Sequence, residues 1–177
     1  MFTKNWYKLF ACCTLTESQS THPFAAKSVS GTDRELYNND SNANEVIEFY
    51  DISETILTTV TDGTWKGVAF GTDGTPPTPD DYRLAGNVIS SLSGTVAKNV
   101  NIDEYGTTMT AIYTLTNSGA EDVTVREIGL FRQGYYSSLK YTSTFMLERT
   151  VLDEPVTIPA GGIGQVTYTI RMNYPTA

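Results

Sequence analysis

The chain has 177 residues, of which 40% are hydrophobic and 11% aromatic, and it carries a net charge of -8. This length and hydrophobic content suffice for the core of one domain and are short for two. The negative charge repels phosphate backbones and anionic lipids, and no window approaches the roughly 20 apolar residues that span a bilayer, which argues against nucleic-acid and membrane partners.

The first residues of the chain predict a short helix. Trp6, Leu9, Phe10 and Cys13 recur at the spacing of one helical stripe about two turns long. So short a helix needs a partner surface. The stripe either caps the core of the same domain or docks on a neighbouring subunit, so Trp6, Leu9 and Phe10 are candidate partner-binding residues.

A polar segment follows and predicts an extended arm. Residues 14–44 are rich in Ser, Thr, Asn, Asp and Glu and have few large apolar side chains. We therefore divide the chain into a helix and arm over residues 1–44 and a β-sandwich domain over residues 45–177. Cys12 and Cys13 are adjacent, so they provide no framework of spaced disulfides.

The sequence of the rest of the chain predicts an all-β structure. Val, Ile, Thr, Tyr and Phe are abundant, and apolar residues alternate with polar ones, most clearly from Gln165 to Tyr174. This predicts an antiparallel β-sandwich, either jelly-roll or immunoglobulin-like. Eight strands are predicted: Glu45 to Tyr50, Thr55 to Val60, Trp65 to Gly71, Val88 to Asn101, Thr107 to Asn117, Val123 to Phe131, Tyr141 to Val151 and Gly164 to Tyr174.

One strand changes its alternation partway along. Between Val125 and Ile128 the apolar positions shift by one residue, which predicts a β-bulge near Arg126 and Glu127. Beyond that bulge, Ile128 and Leu130 are predicted to face the core.

Residue types that carry catalysis are sparse, and we expect no enzymatic activity, cofactor or metal. The one histidine, His22, lies in the polar arm, whereas zinc hydrolases and cupin-like sites need two or three imidazoles. Glu127 and Glu148 leave glycoside hydrolysis formally open, but each lies beside an arginine, and cross-strand charge pairing on a wet or interfacial face is favoured.

Two loops contain residue types that occur in ligand sites. Asp73, Asp80 and Asp81 lie in a Pro-rich loop that lacks the spacing of a calcium-binding EF-hand, so an extended connector is favoured over an ion site. The glycines after Pro159 form a turn and lack the strand-to-helix context of a phosphate cradle.

Several separated motifs together resemble a family of small virion structural proteins of tailed bacteriophages. The resemblance covers most of residues 65–174. It is carried by these pieces: Asn5-Trp-Tyr-Lys8, the Phe70–Tyr82 loop, Glu127-Ile-Gly-Leu-Phe131, Leu147-Glu-Arg-Thr-Val151, Pro155-Val-Thr-Ile-Pro-Ala-Gly161 and Thr167-Tyr-Thr-Ile170. It implies a β-sandwich component of a phage particle, made in the bacterial cytoplasm, without specifying head, neck or tail.

These observations predict a non-enzymatic protein that binds other virion proteins and copies of itself. The alternative is a receptor- or glycan-binding module of a tail fibre or spike, whose loops contact a sugar on the host surface. Tyr135 and Tyr136 are candidate contact residues for either role, because adjacent tyrosines in a loop provide rigid amphipathic area. The other interpretation of these two rings is packing on the rim of the sandwich.

Overall fold

A computed structural model of the chain describes residues 1–8, 25–35, 55–64, 66–136 and 141–173. It confirms an all-β fold with one short helix, over residues 4–8. The eight strands are β1 (Ala25–Lys27), β2 (Asp33–Glu35), β3 (Lys66–Gly71), β4 (Leu92–Asp103), β5 (Gly106–Asn117), β6 (Val123–Tyr136), β7 (Tyr141–Ile158) and β8 (Ile163–Asn173).

The strands form three antiparallel sheets. β1 and β2 pair as a small hairpin, while the two larger sheets have the orders β3–β6–β7 and β4–β5–β8. The larger sheets pack face to face, because alternate residues of each strand point into a shared apolar core. Phe70 of β3 meets Tyr113 of β5 edge-on in this core, with ring centroids 5.3 Å apart.

The β3–β6–β7 sheet is buried on its second face as well. Ala69, Phe131 and Met146 point away from the main core and pack with Val29 and Leu84, which come from segments outside the sheet. This sheet is therefore the middle layer of the molecule, and loop segments form a third layer over it.

Both edges of the β3–β6–β7 sheet are also covered. Ile56 forms a parallel bridge with Val68 of β3, and Phe2 forms an antiparallel bridge with Glu148 of β7. Near the second bridge, the backbone nitrogen of Thr3 donates to the carbonyl of Leu147 at 3.0 Å.

The β4–β5–β8 sheet is different. Within the described part of the chain, no strand lies beside the outer edge of β4 or of β8. Among these residues, one sheet is covered on both faces and bridged at both edges, and the other meets its neighbours through a single face.

Part of the predicted arm packs on the body of the protein. Thr3 and Asn5 are buried, and the Asn5 side chain bonds both the nitrogen and the carbonyl of Lys27, at 3.0 and 2.7 Å. The hairpin β1–β2 was not predicted, because three-residue strands are too short for an alternating pattern to be recognised. Residues 9–24, which include Leu9, Phe10 and His22, lie outside the described residues.

Most strand predictions are confirmed, with shifted ends. β3, β5, β6, β7 and β8 match their predicted segments, and β6 and β7 extend further than predicted. The predicted strand Thr55 to Val60 is wrong, since this segment forms an isolated bridge at Ile56, and the predicted strand Glu45 to Tyr50 lies outside the described residues. β4 begins at Leu92, four residues after its predicted start.

The bulge and the core positions beyond it are confirmed. Pairing of β6 with β7 shifts between Val125 and Glu127, and Ile128 and Leu130 are both completely buried. Arg126, the residue of β6 at this shift, lies on the surface opposite residues 152–155 of β7, and the alternation of β6 changes across it.

Truncating Ile128 to alanine is expected to lower the free energy of unfolding by about 2–5 kcal/mol, because it leaves a cavity between the sheets. The matched control is Ile163→Ala on β8, where the side chain is 69% exposed and a change within about 0.5 kcal/mol is expected. Urea denaturation of both variants measures the difference. Equal losses would place the Ile128 side chain outside the core.

Candidate functional site

The most unusual feature of the fold is an ion cluster buried under the Pro-rich loop. Arg149 of β7 is 1% exposed and Glu127 of β6 is 0% exposed, and the arginine Nε donates to Glu127 Oε2 at 2.6 Å. The same guanidinium donates through Nη1 to Asp81 at 2.8 Å and through Nη2 to the carbonyl of Thr75 at 2.9 Å. One side chain of the sheet therefore holds the loop at two points.

Glu127 binds the same loop at a different point. The backbone nitrogen of Ala85 donates to its Oε2 at 3.1 Å, and that of Gly86 donates to its Oε1 at 2.8 Å. Both carboxylate oxygens thus accept hydrogen bonds, as a buried charge requires. The segment from Thr75 to Gly86 is consequently part of the packed structure.

Two local features let Glu127 occupy this buried position. The bulge at Arg126 turns the next side chain toward the loop, away from the core that Val125 and Ile128 enter. Gly71, which pairs with Glu127 across β3 and β6, leaves the room for it, because a Cβ at residue 71 would lie 2.5 Å from Glu127 Oε1. A larger residue at position 71 would displace the carboxylate.

The predicted charge pairing is confirmed across β6 and β7, but its predicted exposure is wrong. Glu127 and Arg149 face a layer of loop that periodicity in the strands does not reveal, so the face is neither wet nor accessible. The bulge is the available signal, because it places Glu127 on the face opposite to Val125, although the two residues are two positions apart. What covers the charged side depends on residues of the Pro-rich loop, more than 40 positions earlier.

The three aspartates of the Pro-rich loop bind groups of the protein itself. Asp80 pairs with Lys4 at 2.6 Å, and Asp73 accepts from the nitrogen of Thr75 at 2.6 Å. Partial burial acts to raise the pKa of Asp81, but hydrogen bonds from Thr78 and Arg149 outweigh it and hold the pKa below its usual value. In the described ranges, no three Asp, Glu, His or Cys residues lie together as a metal site would need.

A second acidic residue links the two larger sheets. Glu148 of β7 accepts a hydrogen bond from the Tyr168 hydroxyl of β8, and also bonds the Thr150 hydroxyl and the nitrogen of Met1. Burial raises the pKa of Tyr168 well above its ordinary value of 10.0, and the charge and hydrogen bond of Glu148 raise it further. Glu148 therefore has a structural role, which is to link the two larger sheets.

Beside this link a shallow groove opens between the sheets. It has a volume of about 380 Å³ and is lined by residues 150–154 and 156 of β7 and 165–169 of β8. Four residues of β7, 152–155, loop out here opposite Arg126 alone. Asp153 and Glu154 make its rim acidic, so it is open to polar or cationic groups.

The outer face of the β4–β5–β8 sheet is nearly uncharged. Its side chains follow from the register as five rows of three: Ser93, Thr116, Ile163; Thr95, Thr114, Gln165; Ala97, Ile112, Thr167; Asn99, Thr110, Thr169; and Asn101, Thr108, Arg171. All are at least partly exposed. Hydroxyl and amide groups predominate, and Arg171 is the one charged member of these rows.

Of the five predicted contact residues, the structure describes the side chain of Trp6 alone. Trp6 is half-buried, stacks on Phe2 at a centroid distance of 5.3 Å and packs against the main core. Tyr135 and Tyr136 end strand β6, where their backbones pair with Thr142 and Tyr141, so their placement in a loop was wrong. Their side chains, like Leu9 and Phe10, lie outside the described set.

Comparison of the chain with family models, with curated proteins and with solved structures found no match. In the described residues, no helix has the length and apolar character needed to cross a membrane.

Replacing Arg149 with methionine is expected to cost about 3–5 kcal/mol of stability, because Glu127 would remain as a buried charge without its cation. Arg126→Met, which removes the exposed neighbouring arginine, is the control and should change stability by about 0.5 kcal/mol or less. Chemical denaturation measures both. Adding Glu127→Gln to Arg149→Met should cost less than the sum of the single changes, and strict additivity would contradict direct coupling.

The Tyr168–Glu148 contact predicts a fall in stability at alkaline pH. Because the folded pKa of Tyr168 is raised, its contribution is fully present below about pH 10, the value for an unfolded tyrosine, and is lost as pH rises above it. Tyr168→Phe should flatten the decline in unfolding free energy between about pH 9.5 and 11. Tyr105→Phe, at an exposed position, should retain the wild-type slope, and equal slopes in all three proteins would contradict the assignment.

Proposed function

We propose that this chain is a non-enzymatic structural protein of a tailed-bacteriophage virion, present in many copies and attached to the head, neck or tail. The observation that carries the proposal is the contrast between the two larger sheets. One sheet is covered on both faces and edges, whereas the other has a bare outer face and two bare edges among the described residues. Such a sheet suits repeated contacts with other proteins.

The buried ion cluster supports the same proposal through the motifs that it joins. The Pro-rich loop, the segment Glu127–Phe131 and the segment Leu147–Val151 were separate pieces of the resemblance to phage virion proteins. Arg149 and Glu127 connect all three. The residues in these three pieces of the resemblance therefore form one structural unit, in which the two strands and the loop stabilise each other.

The rigidity of this unit fits a bracing role. The loop has both hydrogen bonds and ion pairs to the strands below it, and three prolines restrict its backbone. A loop held in this way presents a fixed outline to a neighbouring protein and loses little conformational entropy on contact. The partners that we propose are other virion proteins and copies of this chain.

A second candidate function is glycan binding on the host surface, by a module of a tail fibre or spike. The observation that favours it is the outer face of the β4–β5–β8 sheet, where threonine hydroxyls and asparagine and glutamine amides lie side by side. These groups can donate and accept hydrogen bonds with sugar hydroxyls, and their rows continue along the length of the strands.

The two functions predict different locations and different binding. If the structural role is correct, quantitative mass spectrometry of purified particles from the phage that encodes this chain will find it in multiple copies per particle, and purified protein will not bind host cells. Saturable binding to host cells that is competed by a surface glycan would favour the second function. Loss of that binding in a Tyr135→Ala, Tyr136→Ala variant would assign it to those tyrosines.

A further inference from the structure

Three prolines of the Pro-rich loop lie within four residues, and two of them are on the surface. Pro76 and Pro79 are exposed, whereas Pro77 is half-buried. The ion cluster binds this loop through Thr75 and Asp81 and makes no use of the exposed rings. The buried charges therefore explain why the loop lies over the sheet, but they do not explain why it presents prolines to solvent.

The sequence restricts the backbone of this segment to an extended conformation. Proline fixes φ at about −65°, and a residue that precedes a proline is shifted to the β or polyproline II region. The second restriction applies to Thr75, Pro76 and Thr78. Residues 73–78 accordingly contain neither helix nor turn. In polyproline II, which has three residues per turn, Pro76 and Pro79 project from one side of the segment about 9 Å apart.

This segment, residues 75–79, is anchored at both ends, and we call it the proline segment. At its start, the carbonyl of Thr75 accepts a hydrogen bond from Arg149 at 2.9 Å. Near its end, the nitrogen and the hydroxyl of Thr78 donate to Asp81 at 2.9 and 2.8 Å. The conformational entropy of the proline segment is thus lost when the protein folds, so a partner that binds it does not have to order it again.

Between the two anchors the backbone provides acceptors and no donor. Pro76 and Pro77 have no N–H group, and within the described ranges their carbonyls accept no hydrogen bond. An extended segment with exposed proline rings and unused carbonyls is the form in which Pro-rich ligands bind aromatic-lined grooves. The proline segment has each of these features.

We propose that the proline segment is a preformed ligand for a groove on another protein, lined by tryptophan or tyrosine side chains. The rings of Pro76 and Pro79 pack on the faces of the aromatic rings, and indole N–H or phenol O–H groups donate to the carbonyls of Pro76 and Pro77. This inference rests on the proposed structural function for its biological meaning, because it names the chemistry of one virion partner.

The simpler role for these prolines is to stiffen the cover over the ion cluster. In that role their replacement affects stability alone, whereas in the ligand role it removes a contact from a protein that stays folded. Pro76→Ala and Pro79→Ala keep every anchoring group, so each should lower the unfolding midpoint by less than about 4 °C. The matched control is Pro155→Ala, which removes an exposed proline of β7.

Photocrosslinking in cells that produce the phage tests the contact directly. p-Benzoylphenylalanine replaces Gly74, beside the proline segment, where a Cβ meets no atom within 4 Å. We expect one main adduct, joined to a partner peptide that contains tryptophan or tyrosine. Pro76→Ala and Pro79→Ala together should reduce this adduct by about tenfold or more, the scale of losing central interface residues. Pro155→Ala should leave it unchanged.

A second arm changes the partner and leaves this chain intact. Replacing the aromatic residue of the crosslinked peptide with alanine should abolish the adduct, and this result does not depend on how the proline variants fold. Absence of an adduct, an adduct that persists in either arm, or an equal adduct from the same reagent at the exposed Ala160 would overturn the proposal.

These measurements separate the inference from the function on which it rests. A chain that is present in many copies on particles but gives no adduct would contradict the proline contact and leave the structural role intact. A chain that gives the expected adduct in cells but is absent from purified particles would contradict the structural role and support the proline contact. Crosslinking and particle analysis therefore report on different statements.

Discussion

The buried ion pair between Arg149 and Glu127 is the constraint on which the outer layer of this molecule depends. Burying two opposite charges is unfavourable unless they are paired and their remaining hydrogen-bonding groups are satisfied. Here the remaining groups are satisfied by the Pro-rich loop, through Asp81, the carbonyl of Thr75 and the nitrogens of Ala85 and Gly86. Loop and pair are therefore mutually dependent, since neither is stable in this position without the other.

The asymmetry between the two larger sheets follows from this constraint. Once the loop lies over β6 and β7, the β3–β6–β7 sheet has apolar contacts on both faces, and the segments at Phe2 and Ile56 complete its edges. The β4–β5–β8 sheet receives no such layer within the described residues. The proposed function uses the outer face and the edges of this sheet, which no described strand covers.

The bare sheet offers three surfaces of different chemistry. Its outer face has hydroxyl and amide groups and almost no charge, its edges meet no described strand, and the end that carries Ile102, Tyr105 and Met172 is apolar. An exposed long edge normally invites unspecific pairing.

Features that depend on neighbours along the chain were predictable from the sequence. The all-β class, five of the strands, the bulge at Arg126 and the burial of Ile128 and Leu130 all follow from the alternation of apolar residues, because the direction of a side chain in a strand is set by local backbone geometry. The hairpin β1–β2 was too short to leave such a pattern.

The burial of the charged residues and the identity of the exposed sheet were decided by the tertiary structure. Arg149 reaches Glu127, Asp81 and Thr75 over 22, 68 and 74 residues of chain. No periodicity connects positions so far apart, and an arginine beside a glutamate in a strand has the same sequence pattern whether water or a loop covers it. Only the folded chain brings the loop over one sheet and leaves the other without a cover among the described residues, because coverage depends on long-range packing and not on the residues of the strand.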